Sequence, residues 1–202
     1  MGTYYGYAKT GTGILGLFNC VQRPLAELIR LSDFPGTEQG EYIVRAFDGV
    51  VSKPMSRGEK HAFVGAKVDV QGWDILSAHP VRHFKRKASD EISVAFLGLV
   101  GKMTGIAAIQ GSDVYEEENG RLRIWLSFKA LGVFGLWIND LPRRSIDGGM
   151  MLLVFGKVVP RHCIRRSKAC DKVLEVDMLQ AWEELGEDSG WSNEVNLEIF
   201  IA

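Results

Sequence analysis

The stretch "RLRIWLSFK", residues 121–129, alternates apolar and polar side chains along its length. Every second residue from Leu122 to Phe128 is apolar, and most of the residues between them are basic or polar. In a β-strand these two sets point to opposite faces. The stretch therefore predicts a strand of an antiparallel sheet that has one face on an apolar core and the other towards water.

Similar segments lie on both sides of this strand. Runs rich in β-branched and aromatic residues predict further strands. We expect "VFGLWI" to be the hairpin partner of 121–129, and the two strands of the first half to form a hairpin with a long connection. The predicted strands are 41–51, 62–70, 121–129, 133–138, 150–159 and 194–202.

Apolar residues at helical spacing predict several helices. Pro24 suits the first turn of one helix, and Ser89 or Asp90 can cap another. The segment "HPVRHFKRK" is expected to be a basic helix that leads into the mostly buried helix containing "ISVAFLGLVG". The predicted helices are 23–31, 79–87, 89–103 and 172–186.

These elements predict an α+β fold, with antiparallel β-sheets and a few helices packed on one side. The chain has 202 residues, of which 46% are hydrophobic, so it can bury a sizeable core without disulfides. We expect a single compact domain over 1–202, with 1–16 as a candidate extended N-terminal arm.

The three cysteines predict a reducing environment, because an odd and sparse set does not form a disulfide framework. No secretory signal is recognised at the start of the chain, so we expect a cytoplasmic protein. The apolar run 92–109 contains Lys102 and several glycines, which favours a buried helix over a transmembrane segment.

No metal or cofactor is predicted. His162 lies beside Cys163, a spacing that does not supply a metal site by itself. His79 and His83 would share a helix face, but the basic residues around them disfavour a cation. The motif "GTGILG" (11–16) fits G-x-G-x-x-G, yet it is not preceded by an apolar strand as a dinucleotide-binding loop requires.

Charge is distributed unevenly along the chain. Residues 173–202 contain eight acidic residues and no lysine or arginine, whereas the first 172 carry 24 basic and 17 acidic residues. This asymmetry indicates either an interaction surface of one sign or an acidic segment that covers a basic one.

Three basic clusters are the candidate binding residues, because clustered arginines and lysines attract phosphate groups of lipids or nucleic acids. Few aromatic residues are interleaved with them, so a groove that stacks bases is not favoured. The candidates are Arg82, Lys85, Arg86, Lys87, Arg143, Arg144, Arg161, Arg165, Arg166 and Lys168. No catalytic residue is predicted.

The order of segments from 62 to 159 resembles that of rhabdovirus matrix proteins. "AFVGAKVDV", "VRHFKRKASDEI", "SVAFLGLVGKMTGIAA", "RLRIWLSFK" and "MMLLVFGKVV" stand where that family has a strand, a basic helix, an apolar helix and later strands. The lysine-rich arm with a Pro-Pro-x-Tyr-type motif, usual in that family, is missing from "MGTYYGYAKTGTG". The resemblance implies self-association, contact with the inner face of a membrane and condensation of a ribonucleoprotein.

Two functions are compatible with these features. The first is a non-enzymatic, viral matrix-like structural protein that forms homo-oligomers and contacts an anionic membrane surface or a ribonucleoprotein, in the cytoplasm or in a virion. The alternative is a small cytosolic enzyme, with a nucleotide or small-molecule pocket near the N-terminal glycines or around His79 and His83.

Overall fold

The computed structural model describes residues 11–85, 91–103, 105–117, 120–143, 146–186 and 194–202. These residues form two compact units built mainly from antiparallel strands. Unit 1 contains the described residues up to Arg82 together with 101–103, and unit 2 contains the rest; the strand that begins at Arg82 is described with unit 2, where its other residues lie. The single domain expected over 1–202 stays a prediction.

Unit 1 contains a four-stranded and a two-stranded sheet. The four-stranded sheet has the order β1-β6-β3-β4, and β2 pairs with β5. Apolar residues from both sheets, among them Leu15, Ile29, Val44 and Leu76, form one buried cluster. The strands are β1 (Gly13–Phe18), β2 (Leu25–Arg30), β3 (Glu41–Ala46), β4 (Met55–Ser56), β5 (Phe63–Val68) and β6 (Trp73–Pro80), with a 3-10 turn at Leu31–Asp33.

Unit 2 contains two five-stranded sheets, with the orders β13-β12-β16-β10-β9 and β14-β15-β11-β8-β7. The strands are β7 (Arg82–Lys85), β8 (Glu91–Leu99), β9 (Ile109–Glu116), β10 (Leu122–Phe128), β11 (Val133–Ile138), β12 (Met150–Val154), β13 (Lys157–Val158), β14 (Ile164–Arg166), β15 (Val173–Asp177) and β16 (Val195–Ile201). The helices are α1 (Ile146–Gly149) and α2 (Met178–Leu185), and the 3-10 turns are Gly105–Ala108, Leu141–Arg143 and Arg161–Cys163.

The two sheets of unit 2 bury their apolar faces. The alternating residues of β10 from Leu122 to Phe128 are fully buried, as their pattern predicted. The ring of Phe128 contacts that of Phe134 on β11, with 5.1 Å between the centroids, and so joins the two sheets. Burying an aromatic side chain of this size contributes about 1.5–3 kcal/mol to folding.

Most predicted strands are confirmed, but the predicted pairings are wrong. β10 pairs with β9 and β16, and β11 pairs with β8 and β15, so 121–129 and 133–138 are not hairpin partners. In unit 1, β3 pairs with β6 and β4, whereas β5 pairs with β2. Alternation predicts which face of a strand is buried, but it carries no information on which strand lies next to it.

Three predicted helices are wrong. Residues 25–30 and 82–85 are strands at sheet edges, and the apolar run is strand β8. Eight residues of β8 from Ile92 to Leu99 are buried in succession, so both of its faces are covered. A strand that is buried on both faces is apolar at every position and therefore matches helical spacing equally well.

The fourth predicted helix is correct only in its second half. Residues 173–177 form β15, and α2 begins after Asp177, whose Oδ1 accepts a hydrogen bond from the Gln180 backbone amide at 3.1 Å. The class α+β and the antiparallel sheets are confirmed. "A few helices" overstates the helical part, because among the described residues only α2 is longer than four residues.

Two further observations concern the membrane and the resemblance. Among the described residues, no helix has both the length and the apolar character needed to cross a membrane. The order of elements on which the resemblance to rhabdovirus matrix proteins depended includes two helices between 81 and 108, and the described parts of these two segments are chiefly strands.

Candidate functional sites

The predicted basic residues lie at opposite edges of one sheet. Arg82 and Lys85 are on β7, whereas Arg165 and Arg166 are on β14, at the other end of the sheet order. Four strand spacings separate these edges, which is roughly 19 Å. Arg86, Lys87 and Arg144 lie outside the described residues. The structure therefore does not bring the clusters around 82 and 165 into one patch.

The basic residues around 143 and those around 165 do meet. An Arg166 Nη atom donates to the Leu141 carbonyl at 3.2 Å and so joins β14 to the 3-10 turn that ends at Arg143. Exposed cations flank β14 on both sides. We name this surface the basic edge, and its residues are Arg143, Arg161, Arg165, Arg166 and Lys168.

Acidic residues of the C-terminal segment lie against basic side chains from earlier in the chain. Arg165 Nε is 2.8 Å from Glu175 Oε2, and Arg123 Nε is 2.9 Å from Glu198 Oε2. His162 contacts Glu184 in the same manner. Of the two alternatives for the charge asymmetry, these pairs favour an acidic segment that covers a basic one. The basic edge is consequently less positive than its sequence indicates.

A histidine, a cysteine and a glutamate converge beside the basic edge. The donor atoms of His162, Cys163 and Glu184 all lie within 4.8 Å of one another. His162 Nε2 is 2.6 Å from Glu184 Oε1, and both side chains are exposed, whereas Cys163 is buried. We name these three residues the His-Cys-Glu cluster. The sequence did not indicate this cluster, because Glu184 is distant from His162 and Cys163 in the chain and reaches the turn at 161–163 only through α2.

The charges around the cluster set the protonation of its members. Burial raises the pKa of the Cys163 thiol, and the carboxylates of Glu184 and Asp177 raise it further. The hydrogen bond with His162 lowers the pKa of the Glu184 carboxyl. An activated cysteine nucleophile requires a lowered pKa, so this environment does not favour thiol catalysis.

His79 and His83, around which the alternative function expects a pocket, each contact neighbouring side chains. His79 is buried on β6, where its Nε2 lies 2.8 Å from Ser77 Oγ. His83 is on β7, with its Nδ1 3.0 Å from Glu91 Oε1 and 2.9 Å from Ser93 Oγ. Each imidazole ring is therefore within hydrogen-bonding distance of a neighbouring side chain.

The glycine motif at 11–16 does not form a phosphate-binding loop. Gly13–Phe18 is strand β1, which runs antiparallel to β6, and no helix follows it. Gly13 is needed for close packing, because a Cβ there would lie 2.7 Å from the Pro35 carbonyl oxygen. A cavity of about 350 Å³ in unit 1 lies elsewhere, between Arg30, Ser32 and the segment Gly58–Lys60.

One end of unit 1 exposes an apolar surface that the sequence did not reveal. Phe18 and Trp73 face each other across the β1–β6 pair, and they are 50% and 49% exposed. The ring of Phe47 lies 5.2 Å from that of Trp73. Three valines close to these aromatic residues in sequence are also exposed. We name this surface the apolar end, and its residues are Phe18, Val21, Phe47, Val50, Val70 and Trp73.

Buried Asn19 holds the apolar end together. Its Nδ2 donates to the carbonyls of Arg23, Val68 and Asp69 at 2.8, 3.1 and 2.9 Å, and its Oδ1 accepts from the Val21 amide at 2.9 Å. The two turns that carry Val21 and Val70 are thus tied to one side chain. The available signal in the sequence was an aromatic residue at a strand end beside turn residues, in "LFNC" and "QGWD".

Comparison with known proteins did not identify a family for this chain. No protein-family profile matches the chain, and a search of curated proteins also gave no match.

Proposed function

We propose that the protein is a non-enzymatic interaction protein that self-associates through the apolar end of unit 1. The observation that carries this proposal is the pair of half-exposed rings of Phe18 and Trp73 at the ends of paired strands, with the partly buried Phe47 packed against Trp73. Contiguous exposed apolar surface is uncommon on monomeric proteins and marks contact sites. Aromatic side chains in particular supply the residues that dominate binding energy.

The rigidity of the apolar end supports this function. Because Asn19 and the β1–β6 pair hold the side chains in place, little conformational entropy is lost when they become buried. A second copy of the chain is the partner that we propose. Arg23, Asp48, Asp69 and Asp74 flank these residues in sequence, so Arg23 of one copy can pair with a carboxylate of the other across a two-fold contact.

Removing the two central rings should weaken self-association. We expect the double variant Phe18→Ser/Trp73→Ser to raise the dimer dissociation constant at least about 30-fold, because truncating residues that dominate an interface costs about 2 kcal/mol or more. Sedimentation velocity over a range of protein concentrations measures this constant.

Leu28→Ser is the control for that experiment. Leu28 is 65% exposed on β2, away from the apolar end, so its replacement should leave the constant unchanged. The proposal is wrong if the unmodified protein stays monomeric at the highest concentration, or if Leu28→Ser weakens the association as much as the double variant.

The basic edge supports a second part of the function, contact with a phosphate-bearing partner. Four of its five cations are arginines, whose planar guanidinium groups bind phosphate through paired hydrogen bonds. The cations project from the edge strand of a sheet and from the turns beside it, an arrangement that suits a flat charged surface. An anionic membrane is the partner that we propose for this edge.

Reversing two charges of the basic edge should weaken membrane binding. We expect Arg161→Glu/Lys168→Glu to lower the partitioning onto vesicles that contain phosphatidylserine roughly 30-fold, since each cation near such a surface contributes about 1 kcal/mol. Co-sedimentation at low and at physiological salt measures the binding.

The charge-matched control is Lys53→Glu/Lys67→Glu, which alters exposed lysines of unit 1 and should bind like the unmodified protein. The same variants are also tested for binding to a short RNA duplex. Binding to the RNA but not to the vesicles would contradict the membrane proposal and assign the edge to a ribonucleoprotein. Binding to neither would refute any phosphate-bearing partner.

A further inference from the structure

We propose that the His-Cys-Glu cluster binds a divalent transition-metal ion, and that Zn²⁺ is the ion it takes. Three different donor types, an imidazole nitrogen, a sulfur and a carboxylate oxygen, lie within 4.8 Å of one another. These are the three kinds of side chain that bind Zn²⁺ in proteins. The proposal concerns unit 2 alone and does not depend on the proposed self-association or membrane binding.

The fold builds this cluster from two short elements that are held firmly. The 3-10 turn Arg161–Cys163 follows Pro160, whose carbonyl accepts the Cys163 amide at 3.0 Å. Helix α2 packs against this turn, and Asp177 caps its first turn. Because Glu184 lies in the last turn of α2, the cap and the packing together determine where its carboxylate stands.

The observed distances are close to those of a tetrahedral metal site. With metal–ligand bonds of about 2.0–2.3 Å, neighbouring ligand atoms of a tetrahedral Zn²⁺ lie roughly 3.3–3.8 Å apart. The 2.6 Å contact between His162 and Glu184 would open by about 0.7 Å, and separations of up to 4.8 Å would close by at most about 1.3 Å. The side chains of His162 and Glu184 are 58% and 38% exposed, so both can move this far.

The site has an entry path and an open position. His162 and Glu184 are exposed and their donor atoms lie within 4.8 Å of the buried Cys163 sulfur, so an ion that replaces their 2.6 Å hydrogen bond can reach the sulfur. Three protein ligands leave the fourth tetrahedral position to water, which is the arrangement of open zinc sites. Glu184 and Asp177 place negative charge beside the sulfur, and this charge attracts a cation.

Cobalt(II) provides a direct test on the full-length protein. Co²⁺ takes the place of Zn²⁺ in tetrahedral sites, and a bound thiolate produces a sulfur-to-cobalt charge-transfer band together with visible bands. We expect one equivalent of Co²⁺ to produce these bands and Zn²⁺ to displace it. The band should be lost in Cys163→Ser and retained in Cys170→Ser, the control at a partly exposed cysteine outside the cluster.

Replacing the buried cysteine could disturb the fold, so the two exposed ligands, His162 and Glu184, are tested as well. We expect His162→Gln and Glu184→Gln to weaken Zn²⁺ binding, measured by titration calorimetry, at least about 10-fold, because even the loss of a group that only orients a ligand has an effect of about 10–100-fold. Absence of the band in the unmodified protein, or Zn²⁺ affinity unchanged in both variants, would overturn the proposal.

Discussion

Replacing Gly98 with alanine should destabilise unit 2 by roughly 2–5 kcal/mol. Gly98 lies in β8 with a φ of 73°, in the left-handed region that side chains rarely adopt. A Cβ at this position would also lie 2.4 Å from the backbone nitrogen and the Cα of Ile106. The strain costs about 1–2 kcal/mol and the overlap about 1–3 kcal/mol more.

The overlap cannot be relieved by a side-chain rotation. The atoms that meet the added methyl group belong to the backbone of the 3-10 turn Gly105–Ala108, which packs directly on β8. The whole turn would have to move away from the strand, and Ile106, which is buried, would lose part of its packing. Urea unfolding followed by far-ultraviolet circular dichroism measures the change in the free energy of unfolding.

Gly156→Ala separates the strain from the overlap. Gly156 has a φ of 75°, nearly that of Gly98, but a Cβ there would meet no atom within 4 Å. We expect a loss of only about 1–2 kcal/mol for this variant. Equal losses for the two variants would contradict the close approach of the 3-10 turn to β8.

Replacing Asn19 with aspartate should destabilise unit 1 by at least about 3 kcal/mol at neutral pH. The Asn19 amide nitrogen donates to three backbone carbonyls and is buried. An isosteric carboxylate would place a negative charge against these three oxygens and supply no donor. The cost should exceed that of Asn19→Ala, which leaves the carbonyls without a partner but adds no charge.

The pH dependence identifies the charge as the cause. The folded protein favours the neutral form of the introduced carboxyl, so the excess cost over Asn19→Ala is present at neutral pH. It should shrink as the pH falls and be lost by about pH 4. Asn139→Asp is the control, because the Asn139 amide is half-buried and donates to one carbonyl at 3.3 Å. If the two aspartate variants lose the same stability, the three-carbonyl role of Asn19 is wrong.

The Asn19 variants also connect the fold with the proposed function. If the side chain orders the turns that carry Val21 and Val70, then Asn19→Ala should weaken self-association even under conditions where unit 1 stays folded. The surface would be the same in composition but less ordered before binding, and ordering it would oppose association.

Strands with one buried face could be predicted because their sequence alternates. β10 and β16 each bury every second residue, and this pattern has one structural interpretation. β8 could not be predicted in this way, because its burial on both faces removes the alternation. At β2, Leu25, Leu28 and Ile29 matched helical spacing, but pairing with β5 decided the structure, and Leu28 is exposed.

The candidate sites also differ in whether the sequence could predict them. Arg161, Arg165 and Arg166 of the basic edge lie close together in the sequence, so composition alone located them, whereas the contact of Arg166 with Leu141 adds Arg143. The His-Cys-Glu cluster depends on the return of α2 to the turn at 161–163, and the apolar end depends on the pairing of β1 with β6. Sequence separation concealed both, since neither contact is local.

By itself, the amino-acid sequence determined the antiparallel α+β class, the buried faces of the alternating strands and the uneven distribution of charge. These properties depend on each residue and its near neighbours, so they can be read along the chain. The pairing of strands, the neutralisation of Arg165 by Glu175 and the convergence of Cys163 with Glu184 were decided by the tertiary structure. Each joins residues that are separated in sequence, and the packing of the whole fold sets their distance.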